Sequence, residues 1–142
     1  MTSLTDTTWV IDFLADQPAA VALHPTLVRE GLALSVITYT ELWEGALFSR
    51  RDRKAAERGL REFLAAVTIL PYSRAVARRV AVLRGTMRQR GQRLEQRALD
   101  LLVAGTALAY GLTMVTSDAD FDDIPGLTVL NPRTGQRRQN PA

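Results

Sequence analysis

Four carboxylates stand out by where they fall in this chain: Asp6, Glu41, Asp100 and Asp118. Asp6, Glu41 and Asp118 each follow a short apolar run, and Asp100 lies inside the otherwise apolar stretch from Ala98 to Ala109. If the runs are parallel strands, one edge of the sheet gathers several carboxylates. Such a cluster repels itself unless a cation binds, and a divalent metal ion is the usual answer. Carboxylates that hold such an ion are equipped for phosphodiester hydrolysis, because the ion activates water and stabilises charge on phosphoryl and leaving oxygens.

Composition narrows the metal. The chain has no cysteine and a single histidine, His24, so thiolate and histidine-rich zinc sites are excluded. Oxygen ligands alone point to Mg2+, with Mn2+ as a second choice. The 142 residues suit one domain with a real core, and the 46% hydrophobic content is that of a globular protein. No apolar run reaches the roughly 20 residues that span a bilayer. The opening Met1 to Asp6 lacks the positive region of a secretory signal. A cytoplasmic protein that does not engage a membrane is therefore expected.

The net charge is +3, and almost all the positive charge is arginine, with Lys54 the only lysine. Arginine binds phosphate with two donors at once; a genome rich in G and C would also favour it. Basic runs occur at Arg50 to Lys54, Arg84 to Arg97, and Arg137-Arg138. A basic surface around an acidic metal site suits a nucleic-acid substrate.

The elements that must position these residues follow from periodicity. Strands are expected at Leu4–Asp6, Leu32–Ile37, Val67–Leu70, Leu112–Thr116 and Leu127–Leu130. Helices are expected over about Thr8–Ala15, Pro18–Val28, Thr38–Ser49, Asp52–Ala66, Ser73–Arg90 and Glu95–Tyr110, with Gly31, Gly91 and Gly111 as stops. Strands alternating with helices give an α/β fold: a central parallel sheet of about five strands flanked by helices on both faces. Ligands in such sheets bind at the carboxyl ends of the strands, where the order reverses. That rule brings Asp6, Glu41 and Asp118 together. One domain over residues 1–132 is expected, with 133–142 a flexible, basic C-terminal tail.

Each acid also has a plain structural role open to it. Thr38 to Glu41 matches a capping box. Asp6 and Asp118 could each cap the helical turn that follows. Asp120, Asp122 and Asp123 crowd the same turn as Asp118 and read as solvated. Asp100 could pair with Arg97, three residues earlier on the same helical face. His24 reads as a surface or interface residue, and Trp9 and Trp43 as core or interface rather than as platforms for stacked bases. For four acids to stand idle, all of these roles would have to hold at once.

The chain resembles the PIN domain, and within it the VapC-type toxins of bacterial toxin–antitoxin pairs. Leu4-Thr5-Asp6-Thr7-Thr8-Trp9-Val10-Ile11-Asp12-Phe13-Leu14 looks like the first block of that family. Leu34 to Leu42 followed by Gly45 looks like the second, Asp100 to Ala104 with Ala107 the third, and Val115 to Phe121 with Ile124-Pro125-Gly126-Leu127 the fourth. The blocks run in order to about Pro132. The resemblance implies a Mg2+-dependent endoribonuclease whose catalytic and metal-binding acids are Asp6, Glu41, Asp100 and Asp118. Thr116, with Thr7 or Thr8, would orient water or ligands around them. It also implies a homodimer, a cognate VapB-type antitoxin whose tail lies over the active site, and a structured RNA such as tRNA or rRNA as substrate. Two departures are small: Thr5 replaces an apolar residue, and Thr8 replaces asparagine or serine but keeps a hydroxyl.

Other classes fit less well. A receiver domain needs a lysine near a late strand, and Lys54 precedes the third. A haloacid-dehalogenase phosphatase needs an aspartate where Thr8 stands. A DNA nuclease, or a non-catalytic module that binds RNA or a partner, remains the alternative.

Overall fold

The structure, a computed structural model, describes all residues from Met1 to Ala142. Strand β1 (Ser3–Thr5) runs through the middle of a six-stranded sheet. On one side lie β2 (Leu32–Ser35) and β3 (Thr68–Leu70). On the other lie β4 (Thr113–Val115), β5 (Thr128–Leu130) and β6 (Arg137–Gln139). The first five strands are parallel, as the alternation of elements implies, and β6 runs antiparallel to β5. Every residue of β1, β2 and β4 is buried, as in strands covered on both faces. The strand order reverses between β1 and β4, so a crevice opens at their carboxyl ends.

Helices α1 (Thr7–Leu14), α2 (Pro18–Glu30), α3 (Val36–Leu47) and α4 (Arg53–Leu64) cover one face, around a core that includes Trp9, Leu27, Leu42 and Phe63. Helices α5 (Arg74–Gln89) and α6 (Ala98–Tyr110) cover the other, around Leu83, Met87, Leu101 and Met114. Val76, Val80, Leu83 and Met87 recur at helical spacing along α5 and form its buried stripe. Gly105 lets α6 approach that stripe closely: a Cβ there would sit 2.2 Å from Val80 Cγ2. In an exposed helix, Gly→Ala gains up to about 1 kcal/mol. Here Gly105→Ala is instead expected to destabilise by about 1–3 kcal/mol, because stiff Val80 must move. The urea midpoint measures this, and a midpoint unchanged or raised would contradict the close packing.

Two local expectations are corrected. Helix α3 begins at Val36, two residues before Thr38, because Ser35 caps it through an Oγ that accepts from Ile37 N at 3.1 Å. Thr38 therefore lies fully buried in the first turn, and the Thr38–Glu41 capping box does not form. Residues 133–142, expected to be mobile, carry β6. The hairpin closes where Asn131 N donates to Gln136 O and Gly135 N to Asn131 O, both at 2.8 Å. Asn140, 3% exposed, then donates to the carbonyls of Phe121 and Ile124 and pins the far end. His24 is half-buried, stacked 4.3 Å from Phe13, and burial lowers its pKa. Thr5 remains compatible with a buried strand because its hydroxyl donates to the carbonyls of Asp6 and Val115.

Candidate metal centre

The crevice between β1 and β4 receives one acid from each strand end. Asp6 directly follows β1 and caps α1. Its Oδ1 accepts from Thr8 N at 3.2 Å, Thr8 Oγ1 at 2.7 Å and Trp9 N at 3.4 Å. The register that pairs Thr5 with Val115 brings Thr116 alongside, and Thr116 Oγ1 donates to Asp6 Oδ2 at 2.5 Å. The same Thr116 oxygen accepts from Asp118 N at 3.0 Å. Thr116 thus ties together the two strand ends that carry Asp6 and Asp118. Burial pushes the Asp6 carboxyl above the usual carboxylate range, while hydrogen bonds from Thr116, Thr8 and Trp9 oppose that shift.

Asp118 caps a single 3-10 turn, Ala119–Phe121, by accepting from Asp120 N at 2.9 Å. That turn swings Asp120 back toward α6. Asp100, Asp118 and Asp120 each offer an oxygen within 4.8 Å of the others, a spacing at which one cation could bridge them. Asp120 is exposed, as its place in the turn implies, and it also faces the other two acids. Its Asp118-Ala119-Asp120 spacing was the available signal, but only the 3-10 turn shows that it faces the cluster.

Asp100 sits in the first turn of α6, half-buried. Its pKa is raised to about 6, first by burial and then by the charges of Asp118, Asp120, Asp6 and Glu41. Arg97 does not pair with it. The Arg97 guanidinium instead grips Asp123 with two donors, at 2.6 and 2.9 Å, and donates to Asp120 O at 2.6 Å. This fork holds Asp123 below the usual carboxylate range and clamps the 3-10 turn against the start of α6. Glu41 lies exposed in the second turn of α3 and accepts from Thr7 Oγ1 at 3.2 Å. It stands at the rim, outside the tightest group.

None of Asp6, Glu41, Asp100, Asp118 and Asp120 takes part in an ion pair; the protein's four ion pairs use other acids. An all-carboxylate donor set of this kind fits a hard divalent cation such as Mg2+ or Mn2+. If Asp100 is a ligand, cation binding must displace its proton. The affinity for Mn2+, followed by calorimetry from about pH 8 to about pH 5, is then expected to fall about tenfold per unit below the Asp100 pKa of about 6. An affinity flat across that range would remove Asp100 from the donor set.

Comparison with known proteins identifies the fold that carries these acids. A family model described as the PIN domain matches residues 3–127. No protein of curated function matches the sequence. Among solved structures, FitAcB from Neisseria gonorrhoeae is 29% identical, with a TM-score of 0.81 over 93% of this chain and 99% of that one. VapBC2 from Rickettsia felis, bound to a DNA fragment from its promoter, is 25% identical, with a TM-score of 0.80 over 91% of this chain and 97% of that one. DNA-bound VapBC from Salmonella typhimurium is 27% identical, with a TM-score of 0.76 over 91% and 97% of the two chains. With the family model matching across the strands and helices that frame the acidic crevice, the chain belongs to the PIN domain family, and its structural neighbours are toxin–antitoxin complexes of the VapBC kind.

Proposed function

We propose that this chain is a Mg2+-dependent endoribonuclease, the toxin of a VapBC-type pair, working in the cytoplasm. The observation that carries the reading is the set of carboxylates at the β1–β4 switch point, none of them ion-paired. Asp6, Glu41, Asp100 and Asp118 are the proposed catalytic and metal-holding acids, and Asp120 joins them on its position. A bound Mg2+ would supply charge stabilisation on the scissile phosphate and a lowered pKa for the attacking water.

The protein's own groups would do the rest. Thr116 and Thr8 hold both oxygens of Asp6 in one orientation, and Thr7 does the same for one oxygen of Glu41. Arg97 holds Asp120 by its backbone. Arg93 borders a polar recess with Glu95, Gln96 and Asp120, and it is the cation there that is not committed to an ion pair. The single histidine lies in the aromatic cluster with Phe13 and Trp9, so the acids carry the proton handling.

A groove beside the acidic site offers a partner a seat. An apolar groove of about 490 Å3 starts beside Thr7 and Glu41 and runs past Ile11, Leu42 and Leu60 to Arg51. A VapB-type antitoxin tail laid there would cover Glu41 at the rim of the acidic site and neutralise Arg51. A homodimer is part of the same reading. No helix is long and apolar enough to cross a membrane.

The test is incubation of total RNA, including tRNA and rRNA, with purified protein in Mg2+ or in EDTA. Discrete fragments that vanish in EDTA are expected. Cleavage of DNA alone would redirect the reading to a DNA nuclease, and folded protein that binds Mn2+ but cuts neither would end it.

A further inference from the structure

A second recess opens on the far side of Asp118, where the end of β4 meets the β5–β6 hairpin, with a volume of about 150 Å3. A cavity of that size holds one six-membered aromatic ring. Thr116 and Asp118 line it, so it adjoins the acidic site directly. Val129 supplies an apolar surface, while Ser117, Asn131 and Gln136 supply polar ones. The Ser117 hydroxyl and the Gln136 side-chain amide make no hydrogen bond within the protein, and Asn131 uses only Oδ1, accepting from Arg133 N. Gln136 is placed by the turn that Gly135, with φ +75°, makes possible.

The charge of the recess selects against an anion. Arg138, its one cation, is paired with Asp122, and Asp118 adds a further negative charge. A neutral ring with hydrogen-bonding edges suits these walls, whereas a phosphate does not. The family match ends at residue 127, and Val129, Asn131, Gln136 and Arg138 all lie beyond it. These residues lie on the last parallel strand and on the hairpin that follows it, and loops carried on a shared scaffold are where related enzymes differ in what they select.

We propose that this recess holds a single unstacked pyrimidine base of the RNA substrate, next to the phosphodiester at the acidic site. The proposal rests on the ribonuclease reading for its substrate, but the recess can be tested without cleavage. Single-stranded bases are recognised in this way, splayed out and hydrogen-bonded on their edges. The Gln136 amide offers an NH2 with two donors and a carbonyl oxygen that accepts, and the Ser117 hydroxyl adds another of either kind. A purine, with its second ring, exceeds the space.

The direct test is titration of isotope-labelled protein in Mg2+, which would offset the carboxylates facing the phosphate, with UMP, CMP, AMP and GMP, followed by NMR at the side-chain amides of Gln136 and Asn131. UMP and CMP are expected to shift both amides, AMP and GMP to leave them in place, and Gln136→Ala to weaken the pyrimidine response about tenfold. Ser117→Ala provides a second variant on the opposite wall. Equal response to purines and pyrimidines, or none to any nucleotide, overturns the proposal. In parallel, oligoribonucleotides with U, C, A or G beside the cut are compared by kcat/KM. A pyrimidine preference that drops about tenfold in Gln136→Ala supports the recess, and one that survives both variants overturns it. If no oligonucleotide is cut while pyrimidines still shift the amides, the ribonuclease reading fails and the recess stands.

Discussion

Asp100→Asn is expected to abolish metal-dependent cleavage, by at least about 100-fold, while leaving the folded protein intact or slightly more stable. Loss of groups that merely support metal ligands costs about 10–100-fold, and a direct ligand counts for more. Asparagine keeps the size of the side chain but removes the charge that faces Asp118, Asp120, Asp6 and Glu41. Asp100 has no cationic partner to strand, since Arg97 is committed to Asp123. The metal-free variant should therefore lose repulsion rather than support.

The pH dependence has a definite sign. The folded-state pKa of Asp100 is raised from 3.8 to about 6, so the folded state holds this proton more tightly than the unfolded state. Its contribution to metal-free stability is full below 3.8 and is lost as pH rises through about 6. Thermal melts in EDTA should show the wild type losing stability across that window and Asp100→Asn losing less. Mg2+ should restore stability to the wild type at neutral pH and little to the variant. A variant that still cuts RNA, or that unfolds in EDTA, would defeat this account.

Trp9→Ala is expected to cost about 3–5 kcal/mol of folding stability, a large share of the 5–15 kcal/mol typical of a domain. Trp9 is fully buried and is stacked 5.6 Å from Phe13 and 6.2 Å from His24, with Phe63 tilted at 5.9 Å. It also anchors the first turn of α1, where its backbone N–H donates to Asp6 Oδ1. Alanine keeps that N–H, so Mn2+ binding should weaken only as far as the emptied core lets the first turn of α1 shift. Trp9→Phe should cost much less, because the indole Nε1 has no hydrogen-bond partner to lose. Urea unfolding of both variants measures this, and a loss below about 1 kcal/mol for Trp9→Ala would contradict the packing.

The parallel α/β sheet was legible because its signals are local. Short buried strands read as continuous apolar runs, and helices read by their period. Asp6 and Asp118 could be placed near each other because such sheets bind ligands at the carboxyl ends of their strands, and Asp6 directly follows β1 while Asp118 lies three residues past β4. Segment 137–139 showed no strand signal, because Arg-Arg-Gln has no apolar alternation. It pairs through its backbone, and buried Asn140, far along the chain from the two carbonyls it binds, fixes it there. The start of α3 was misplaced for a similar reason. Ser35 and Thr38 are both good caps by type, and the end of β2 decides between them.

The sequence by itself determined which residue types are available for chemistry here: carboxylates after apolar runs, one histidine and no cysteine, so that any metal would have to be held by oxygen. Only the tertiary structure decided which acids are left without partners. Arg97 has both Asp100 and Asp123 within its reach, and the clamp on the 3-10 turn gives it to Asp123. That choice leaves Asp100 unpaired and brings Asp120 beside it. Pairing of charges depends on distances of a few ångströms between segments remote in the chain, and composition and spacing do not contain those distances.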